Sequence, residues 1–248
     1  MKLSFVSLFP ELLQHALSFS IPDRAAKKNL VSFSFANPRD YTEGAYRQVD
    51  DSPFGGGPGM VMQLNPLAKA IEHEIGSSKK KPLIVMPSPS GRPWDQAAAE
   101  RLSKQKHVIL LCGRYEGIDA RIKQLFEIEE YSVADAVVSG GEFPALMLAD
   151  AIIRRLPGAL GNAESLAAES FEQGYLDHPH YTRPEVFGTM AVPSVLLSGA
   201  HRNVEAWRLR QALRLTWQQR PELLASLTLS PQAQSALADA VLKPKESL

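Results

Sequence analysis

The chain has 248 residues, 44% of them hydrophobic, and its 27 Lys and Arg residues balance 27 Asp and Glu residues. An apolar fraction of this size can fill a core, and zero net charge means that any nucleic-acid binding must come from local patches. A single cysteine excludes a disulfide framework and a cysteine metal cluster, which fits a reducing cytosol. No signal-like segment or bilayer-length apolar run is present, so we expect a cytoplasmic protein without a membrane partner.

Strands and helices alternate through the first part of the chain. Apolar runs and alternating patterns predict strands over residues 3–8, 31–35, 82–86, 107–112 and 131–138. Helices are expected to begin at Pro10 and within 118–122, and to cover 67–75, 95–104 and 144–155. This order predicts an α/β sheet with helices on its faces.

Residues 48–60 predict a loop, because they combine four glycines with two prolines. The run lacks the Gly-Lys-Ser/Thr ending of a phosphate-binding loop. The neighbouring Asp50 and Asp51 suit contact with a cation, a base edge or a backbone amide. This stretch is therefore a candidate contact region and not a nucleotide-phosphate cradle.

The character of the chain changes after Arg155. Residues 156–165 contain helix breakers and small residues without an apolar period, which indicates a linker. Residues 192–199 are expected to be short and extended, 203–220 to form a helix, and 223–242 to supply one or two more. The C-terminal third is therefore predicted to be a small helical domain.

Two glycine-punctuated corners follow neighbouring predicted strands, LLCGRYEGIDAR at 110–121 and SGGEFPA at 139–145. Each combines a flexible backbone with fixed charges, among them Arg114, Glu116 and Glu142. Loops at the carboxyl edge of a parallel sheet are where open α/β sheets bind ligands. One such turn alone is more often only a connection, but two with gathered charge predict a ligand site.

Several blocks of the sequence together resemble the bacterial tRNA (guanine-N1)-methyltransferase family. They are VDDSPFGGGPGM at 49–60, LLCGRYEGID at 110–119, SGGEFPA at 139–145, and LDHPHYTRPE at 176–185 followed by VLLSG at 195–199. The blocks stand in the family's order and span essentially the whole chain. Chance agreement is therefore negligible.

The resemblance implies a trefoil-knotted parallel sheet, an exception to the rule that chains avoid threading. It implies a donor-binding catalytic domain over 1–158, a flexible linker over 159–172 and a helical tRNA-binding domain over 173–248. A homodimer with active sites between the subunits is also implied. The expected reaction transfers a methyl group from S-adenosylmethionine to N1 of guanine 37 of tRNA, immediately 3′ of the anticodon. The alternative is a tRNA-binding paralogue of the same fold with weak or lost transfer.

By matching position, the resemblance implies that three loops hold S-adenosylmethionine, with Glu116 near its charged methionine end. The residues expected to contact the donor are Met86, Pro87, Ser88, Gly113, Tyr115, Glu116, Gly117, Val133, Ala134, Val138, Gly140, Gly141 and Pro144.

Catalysis should need a base and a cation, because N1 of guanine carries a proton and is a poor nucleophile. Arg154 matches the family's catalytic arginine. Glu169 stands where the family has its aspartate base, and Asp177 is a second carboxylate candidate. The chain also departs from the family's usual residues at Met86, Pro87, Ala134 and Ala136, and these departures motivate the paralogue alternative.

RNA contacts are expected from Asp50, Pro58, Gly59, Asp177, Arg183, Arg208 and Arg214. Arginines along a C-terminal helix suit phosphates, although scattered arginines more often only cover a solvated surface. His178 and His180 show no further ligand cluster in the sequence, so no metal site is predicted. Mg²⁺ is compatible with the sequence but not required by it.

Overall fold

The computed structural model describes residues 1–77, 81–161 and 168–242. The chain divides into two compact units, Met1–Gly161 and Asn162–Leu248. The predicted linker over 159–172 spans this division, and its central residues 162–167 lie outside the described part. Residues 168–172 form turns.

Strands and helices alternate in the first unit. In chain order they are β1 (Lys2–Val6), α1 (Pro10–Leu17), α2 (Ser20–Lys27), β2 (Ser32–Ala36), a 3₁₀ turn (Pro38–Tyr41), β3 (Asp50–Asp51), β4 (Val61–Met62), α3 (Leu64–Ile75), β5 (Leu83–Pro93), α4 (Gln96–Ser103), β6 (His107–Leu111), α5 (Ile122–Leu125), β7 (Ile128–Ser132) and α6 (Glu142–Arg154).

Five of these strands form one sheet in the order β2-β1-β6-β5-β7, and every neighbouring pair is parallel. Phe5 on β1, for example, lies opposite Phe35 on β2 and Leu110 on β6. The prediction of a parallel α/β sheet with flanking helices is confirmed. The carboxyl ends of β5, β6 and β7 therefore meet at one edge of the sheet.

Both faces of the sheet are covered, which explains the continuous apolar run of β6. Val108 and Leu110 join a core formed with α1, α2, α4 and α6, whereas Ile109 and Leu111 join a second core with α3 and α5. Successive strand side chains point to opposite faces, so a central strand must be apolar at every position. Each such buried side chain contributes roughly 1.5–3 kcal/mol.

The prediction of a strand over 131–138 is wrong from residue 133 onward. β7 covers Ile128–Ser132, and the following residues form a loop in which Val137 and Val138 are 88% and 50% exposed. The true strand was hidden because it contains Glu129 and Glu130. Charged residues are tolerated there since β7 is an edge strand.

Smaller differences arise at other boundaries. The helix expected to begin within 118–122 begins at the last residue of that range, Ile122, and β5 continues past residue 86 to Pro93 with a register shift. Within the predicted 48–60 loop, Asp50 and Asp51 form a two-residue ladder with Met62 and Val61. The two ends of the glycine-rich run therefore pair as short antiparallel strands.

The second unit is mainly helical, as predicted. Its elements are β8 (Val186–Phe187), β9 (Met190–Ala191), α7 (Ser194–Leu197), α8 (His201–Gln219), α9 (Pro221–Ala225) and α10 (Pro231–Leu242). The extended stretch expected over 192–199 is wrong, because α7 occupies its central half, and the β8–β9 hairpin was not predicted. Among the described residues, none of the helices combines the length and the apolar character needed to cross a membrane.

Candidate active site

A cavity of about 460 Å³ opens at the edge of the sheet where β5, β6 and β7 end. Residues that follow these three strands supply most of its lining. Its volume lies in the range of roughly 300–1,000 Å³ that is usual for small-molecule pockets. Residues of both glycine corners line this cavity, together with residues 86–90 of β5. That the cavity binds a ligand stays a prediction.

The turn after β6 adopts a backbone that few side chains favour. Tyr115 has φ 62° and Gly117 has φ 134°, and both line the cavity. A positive φ is common for glycine but rare for an aromatic residue. The turn therefore holds Tyr115, which is 46% exposed, in a conformation that surrounding contacts must maintain.

The glycine-rich 49–60 loop supplies those contacts. The Glu116 N–H donates to the Met60 carbonyl at 2.9 Å, and the Met62 N–H donates to the Gly117 carbonyl at 2.9 Å. Gly59 lies so close that an added Cβ would sit 2.4 Å from the Glu116 side chain. Two regions far apart in sequence are thereby joined beside the cavity.

A buried ion pair connects the two glycine corners. Glu142 is fully buried and accepts from Arg114 Nε at 2.9 Å and from Ser7 Oγ at 2.7 Å. Arg114 Nη1 also donates to the Ser139 carbonyl at 3.1 Å, and its guanidinium lies 4.4 Å from the Phe9 ring centre. Such a charge is stable in a protein interior only when it is paired and hydrogen-bonded. The pair therefore fixes the corner after β6 to the start of α6.

β5 bulges out of the sheet part-way along its length. Pro87 and Arg92 both pair with Tyr131, so residues 88–91 leave the ladder. An added Cβ on Gly91 would lie 2.4 Å from the Tyr131 backbone nitrogen, so the returning chain can pass this close only because residue 91 has no side chain. The bulge places residues 88–90 in the cavity lining.

A polar cluster stands behind this bulge. Ser88 Oγ and Ser90 Oγ are 2.8 Å apart, Ser90 Oγ donates to Glu130 at 3.2 Å, and Lys123 pairs with Glu130. Burial raises the pKa of Glu130, whereas the Lys123 ammonium and the two serine hydroxyls lower it, and the net pKa lies below its usual value. The cavity thus has an ionised carboxylate at this side near neutral pH.

The sequence-predicted donor contacts converge here. Every one of them, from Met86 in the first loop to Pro144 at the start of α6, lines the cavity. All four departures from the family's usual residues line it, since Ala136 joins Met86, Pro87 and Ala134 there. Because Ser132 Oγ donates to the Ala134 carbonyl at 3.1 Å, the loop beside these alanines is anchored through its backbone.

Residues of the first unit that were predicted to contact RNA or to take part in catalysis lie in different places. Gly59 adjoins Glu116 beside the cavity, and Asp50 is held in the ladder with Met62. Arg154 is the last residue of α6 and is half-buried. Arg154 is not part of the cavity lining among the described residues.

The remaining predicted residues lie in the second unit. Glu169, Asp177 and Arg208 line another cavity of about 510 Å³, together with His178. The Leu176 N–H donates to Thr216 Oγ1 at 2.9 Å, which fastens this segment to α8. Burial raises and hydrogen bonds from His180 and His178 lower the pKa of Asp177, with a net decrease.

Arg183 and Arg214 lie outside that cavity. Arg183 is exposed next to a cis peptide bond with Pro184, and Arg214 is half-buried on α8. Neither lines the 510 Å³ cavity in the described part of the chain. Their predicted RNA contacts would therefore be made on the surface of the unit.

Sequence reasoning named no roles for several residues that build the first cavity. Arg114 and Glu142 carried a signal, because both are charges on the glycine corners. Glu130 and Lys123 gave none, since a glutamate in a strand and a lysine on a short helix look like solvated positions. Their pairing depends on the register of β5 against β7, which the sequence does not show.

The chain has a parallel α/β unit with a cavity at its carboxyl edge, followed by a helical unit that carries arginines. These features are typical of two-part α/β ligand-binding proteins. Comparison with known families is more specific. The family model described as tRNA (Guanine-1)-methyltransferase TrmD matches residues 1–226. The chain belongs to this family.

Curated relatives agree along almost the full chain. The tRNA (guanine-N(1)-)-methyltransferase of Photobacterium profundum is 47% identical over 243 residues, which is 98% of this chain and 98% of the relative. The protein of the same name from Pasteurella multocida is 47% identical over 240 residues, covering 96% and 97%. That from Pseudomonas aeruginosa PAO1 is 46% identical over 243 residues, covering 98% and 96%.

Proposed function

We propose that the protein transfers a methyl group from S-adenosylmethionine to N1 of guanine 37 in tRNA. The observation that carries the proposal is the cavity at the carboxyl edge, whose lining includes every residue expected to hold the methyl donor. The family and its full-length relatives support the same reaction. They do not favour the alternative of a paralogue without transfer, because the relatives are named as methyltransferases.

The chemistry of the cavity suits this donor. S-adenosylmethionine supplies an electrophilic methyl group on a positively charged sulfur. Glu116 and Glu130 give the lining negative charge, while Ile118 and Val133 give it apolar surface for a base. Gly117 has no atom within 4 Å of an added Cβ, so its backbone is open to a close ligand.

Proton removal and charge stabilisation are assigned to Glu169 and Arg154. Glu169 takes the N1 proton, N1 forms its bond to the methyl carbon as the carbon–sulfur bond breaks, and Arg154 stabilises the negative charge moving toward O6. Correct alignment of N1 and the methyl group can supply roughly 7–11 kcal/mol of barrier reduction. Glu169 is one methylene longer than aspartate, so its position on the 168–172 turns decides how well it aligns.

The proposal includes RNA contacts, a knotted chain path and a cytoplasmic homodimer. Arg183, Arg208 and Arg214 would contact phosphates, and Asp50, Pro58, Gly59 and Asp177 would lie along the anticodon loop.

Support for the dimer comes from α6, where Phe143 and Met147 are 61% and 51% exposed. Arg154 follows them at helical spacing, so a second copy covering this face would lie against the proposed catalytic arginine.

The test is methyl transfer from labelled S-adenosylmethionine to two tRNA transcripts that differ only at position 37. We expect label in the transcript with guanine at positions 36 and 37 and none when residue 37 is adenosine. Glu169→Ala should lose transfer but keep the donor affinity measured by calorimetry. The proposal is wrong if the wild-type protein binds the donor and the tRNA yet transfers nothing.

A further inference from the structure

Three side chains of types that ligate metals lie close together in the second unit. The proposed reaction does not use them as metal ligands. Asp177, His178 and His180 each offer one donor atom, and these atoms all lie within 4.8 Å of one another. The sequence showed only two histidines separated by a proline. The fold turns the Asp177 carboxylate toward both rings.

The imidazole nitrogens flank the carboxylate. His180 Nε2 lies 2.8 Å from Asp177 Oδ2, and His178 Nε2 lies 3.8 Å from Asp177 Oδ1. The two ring centres are 4.5 Å apart. Metal–ligand bonds of about 2 Å separate neighbouring donor atoms by roughly 3–3.5 Å, so an ion fits between the rings after small side-chain shifts.

Supporting contacts orient the first histidine. His178 Nδ1 lies 3.1 Å from the Pro179 carbonyl. A carbonyl only accepts hydrogen bonds, so Nδ1 carries the hydrogen and the Nε2 lone pair is available. A hydrogen bond of this kind commonly fixes the tautomer of a metal-binding histidine. The side chain is also confined, since its ring centre lies 6.2 Å from that of Trp207.

The other two candidate ligands differ, because Asp177 is held by hydrogen bonds whereas His180 is exposed and can move. The Asp177 N–H donates to Ser170 Oγ at 2.9 Å, and the His178 N–H donates to Asp177 Oδ1 at 2.7 Å. The Asp177 side chain is 25% exposed and that of His180 is 71% exposed. His180 Nε2 donates to Asp177 Oδ2, so this hydrogen bond opens and the other ring nitrogen, Nδ1, turns to the ion. The exposed ring can make this rotation without disturbing the packing of the unit.

We propose that Asp177, His178 and His180 form a binding site for a divalent transition-metal ion of the zinc type. Two imidazoles and one carboxylate are borderline ligands that suit zinc, nickel or copper, whereas Mg²⁺ prefers an all-oxygen shell. Three protein ligands leave a fourth position open. Asp177 and His178 also line the 510 Å³ cavity, which has room for a water molecule or a small ligand on the ion.

The metal site does not depend on the proposed methyl transfer, but the two meet at Asp177. A carboxylate that ligates an ion has one fewer lone pair for an RNA contact. We therefore expect ion binding and tRNA binding to compete. Competition is a secondary consequence, and the site itself is tested by ion binding alone.

The experiment titrates ZnCl₂ into the full chain by calorimetry and then repeats the titration with CoCl₂, reading the visible absorption of the cobalt complex. We expect one ion per chain and no measurable binding of MgCl₂. His178→Gln and His180→Gln should each weaken binding by at least roughly 10-fold, as expected for lost metal ligands. His201→Gln, an exposed histidine at the start of α8, is the matched control and should bind like the wild type.

Circular dichroism spectra first establish that the variants are folded, and His180→Gln alters a side chain at the surface. The buried Cys112 offers no competing thiolate. The proposal is overturned if the wild-type chain takes up no Zn²⁺. It is equally overturned if His178→Gln and His180→Gln bind as tightly as the wild type, or if His201→Gln weakens binding as much as they do.

Discussion

Two buried carboxylates show how single residues hold the sheet and its site together. Glu142 links Arg114 and Ser7 beside the 460 Å³ cavity, and Glu74 links Lys2 and Ser34 at the opposite end of β1. In the described part of the chain, every buried side-chain nitrogen and oxygen has a hydrogen-bond partner. Removing either carboxylate therefore leaves its donors without an acceptor and should lower the stability of the fold.

Glu142→Ala should lower the free energy of unfolding by about 3–5 kcal/mol, because it leaves a largely buried Arg114 without its counter-charge. Urea denaturation monitored by circular dichroism measures the change. Lys27→Ala, which breaks an exposed pair with Asp23 one helical turn away, is the control and should cost less than about 1 kcal/mol. Equal losses in the two variants would contradict the role of Glu142.

Glu74 should contribute a pH-dependent part of the stability. Burial raises its pKa, but hydrogen bonds from Ser4, Ser34 and Lys2 outweigh this effect and hold the pKa below its usual value. Because the folded pKa is below the unfolded one, the contribution is fully present above the unfolded pKa. It is lost as the pH falls through the folded pKa.

Thermal melting between pH 7 and pH 3 checks this expectation. Glu74→Gln should melt below the wild type at pH 7, and the difference should shrink as the pH falls below about 4.5. Ser34→Ala, which removes one of the hydrogen bonds, should give a smaller difference of the same sign. A Glu74→Gln difference that is constant across the range would show that Glu74 has no lowered pKa in the folded protein.

The sequence predicted part of this residue-scale picture. Arg114 and Glu142 were expected to gather because both stand on glycine corners after strands. Ser7 could not be assigned to them, since it lies 135 positions from Glu142 and looks like an ordinary strand-end serine. The pairing of Glu130 with Lys123 was hidden for a similar reason, because it requires the register of an edge strand.

At the scale of elements, the site depends on how closely the loops approach one another. The Gly141 N–H donates to the Gly113 carbonyl at 2.8 Å, so the start of α6 is joined to the end of β6. The sequence predicted both corners but misplaced the strand before the second. Val133, Val137 and Val138 have the pattern of a strand, yet they lie in the loop that borders the cavity.

Gly141→Ala should damage this junction, because the added Cβ would lie 2.8 Å from the Cys112 Cα, a backbone atom that cannot move aside. Overpacking of this kind costs about 1–3 kcal/mol. We expect weaker S-adenosylmethionine binding by calorimetry and a lower melting temperature. Gly161→Ala has no atom within 4 Å of its added Cβ and is the matched control. Unchanged donor affinity in Gly141→Ala would contradict a rigid junction beside the donor.

At the scale of the whole molecule, the exposed apolar side chains of α6 bear on the proposed assembly. Phe143 and Met147 are separated by one helical turn, and both side chains are exposed on α6. The other face of this helix is buried in the core. Exposed apolar side chains grouped on one face favour association with another surface. In the proposed homodimer that surface would belong to a second copy of the chain.

Met147→Lys should convert the protein to a monomer in sedimentation velocity, because burying an unpaired ammonium in an apolar interface costs several kcal/mol. Phe19→Lys alters another exposed apolar side chain, 57% exposed between α1 and α2, and should leave the sedimentation coefficient unchanged. A dimer that persists in Met147→Lys would show that this face of α6 does not form the interface.

The methyl-donor site is proposed to lie among three segments at the carboxyl edge of the sheet. A crystal structure of the protein with S-adenosylmethionine decides whether it does. We predict donor density in the 460 Å³ cavity, in contact with Tyr115, Glu116 and Val133. Donor density at another place in the chain, with this cavity filled only by solvent, would show that the proposed site is wrong.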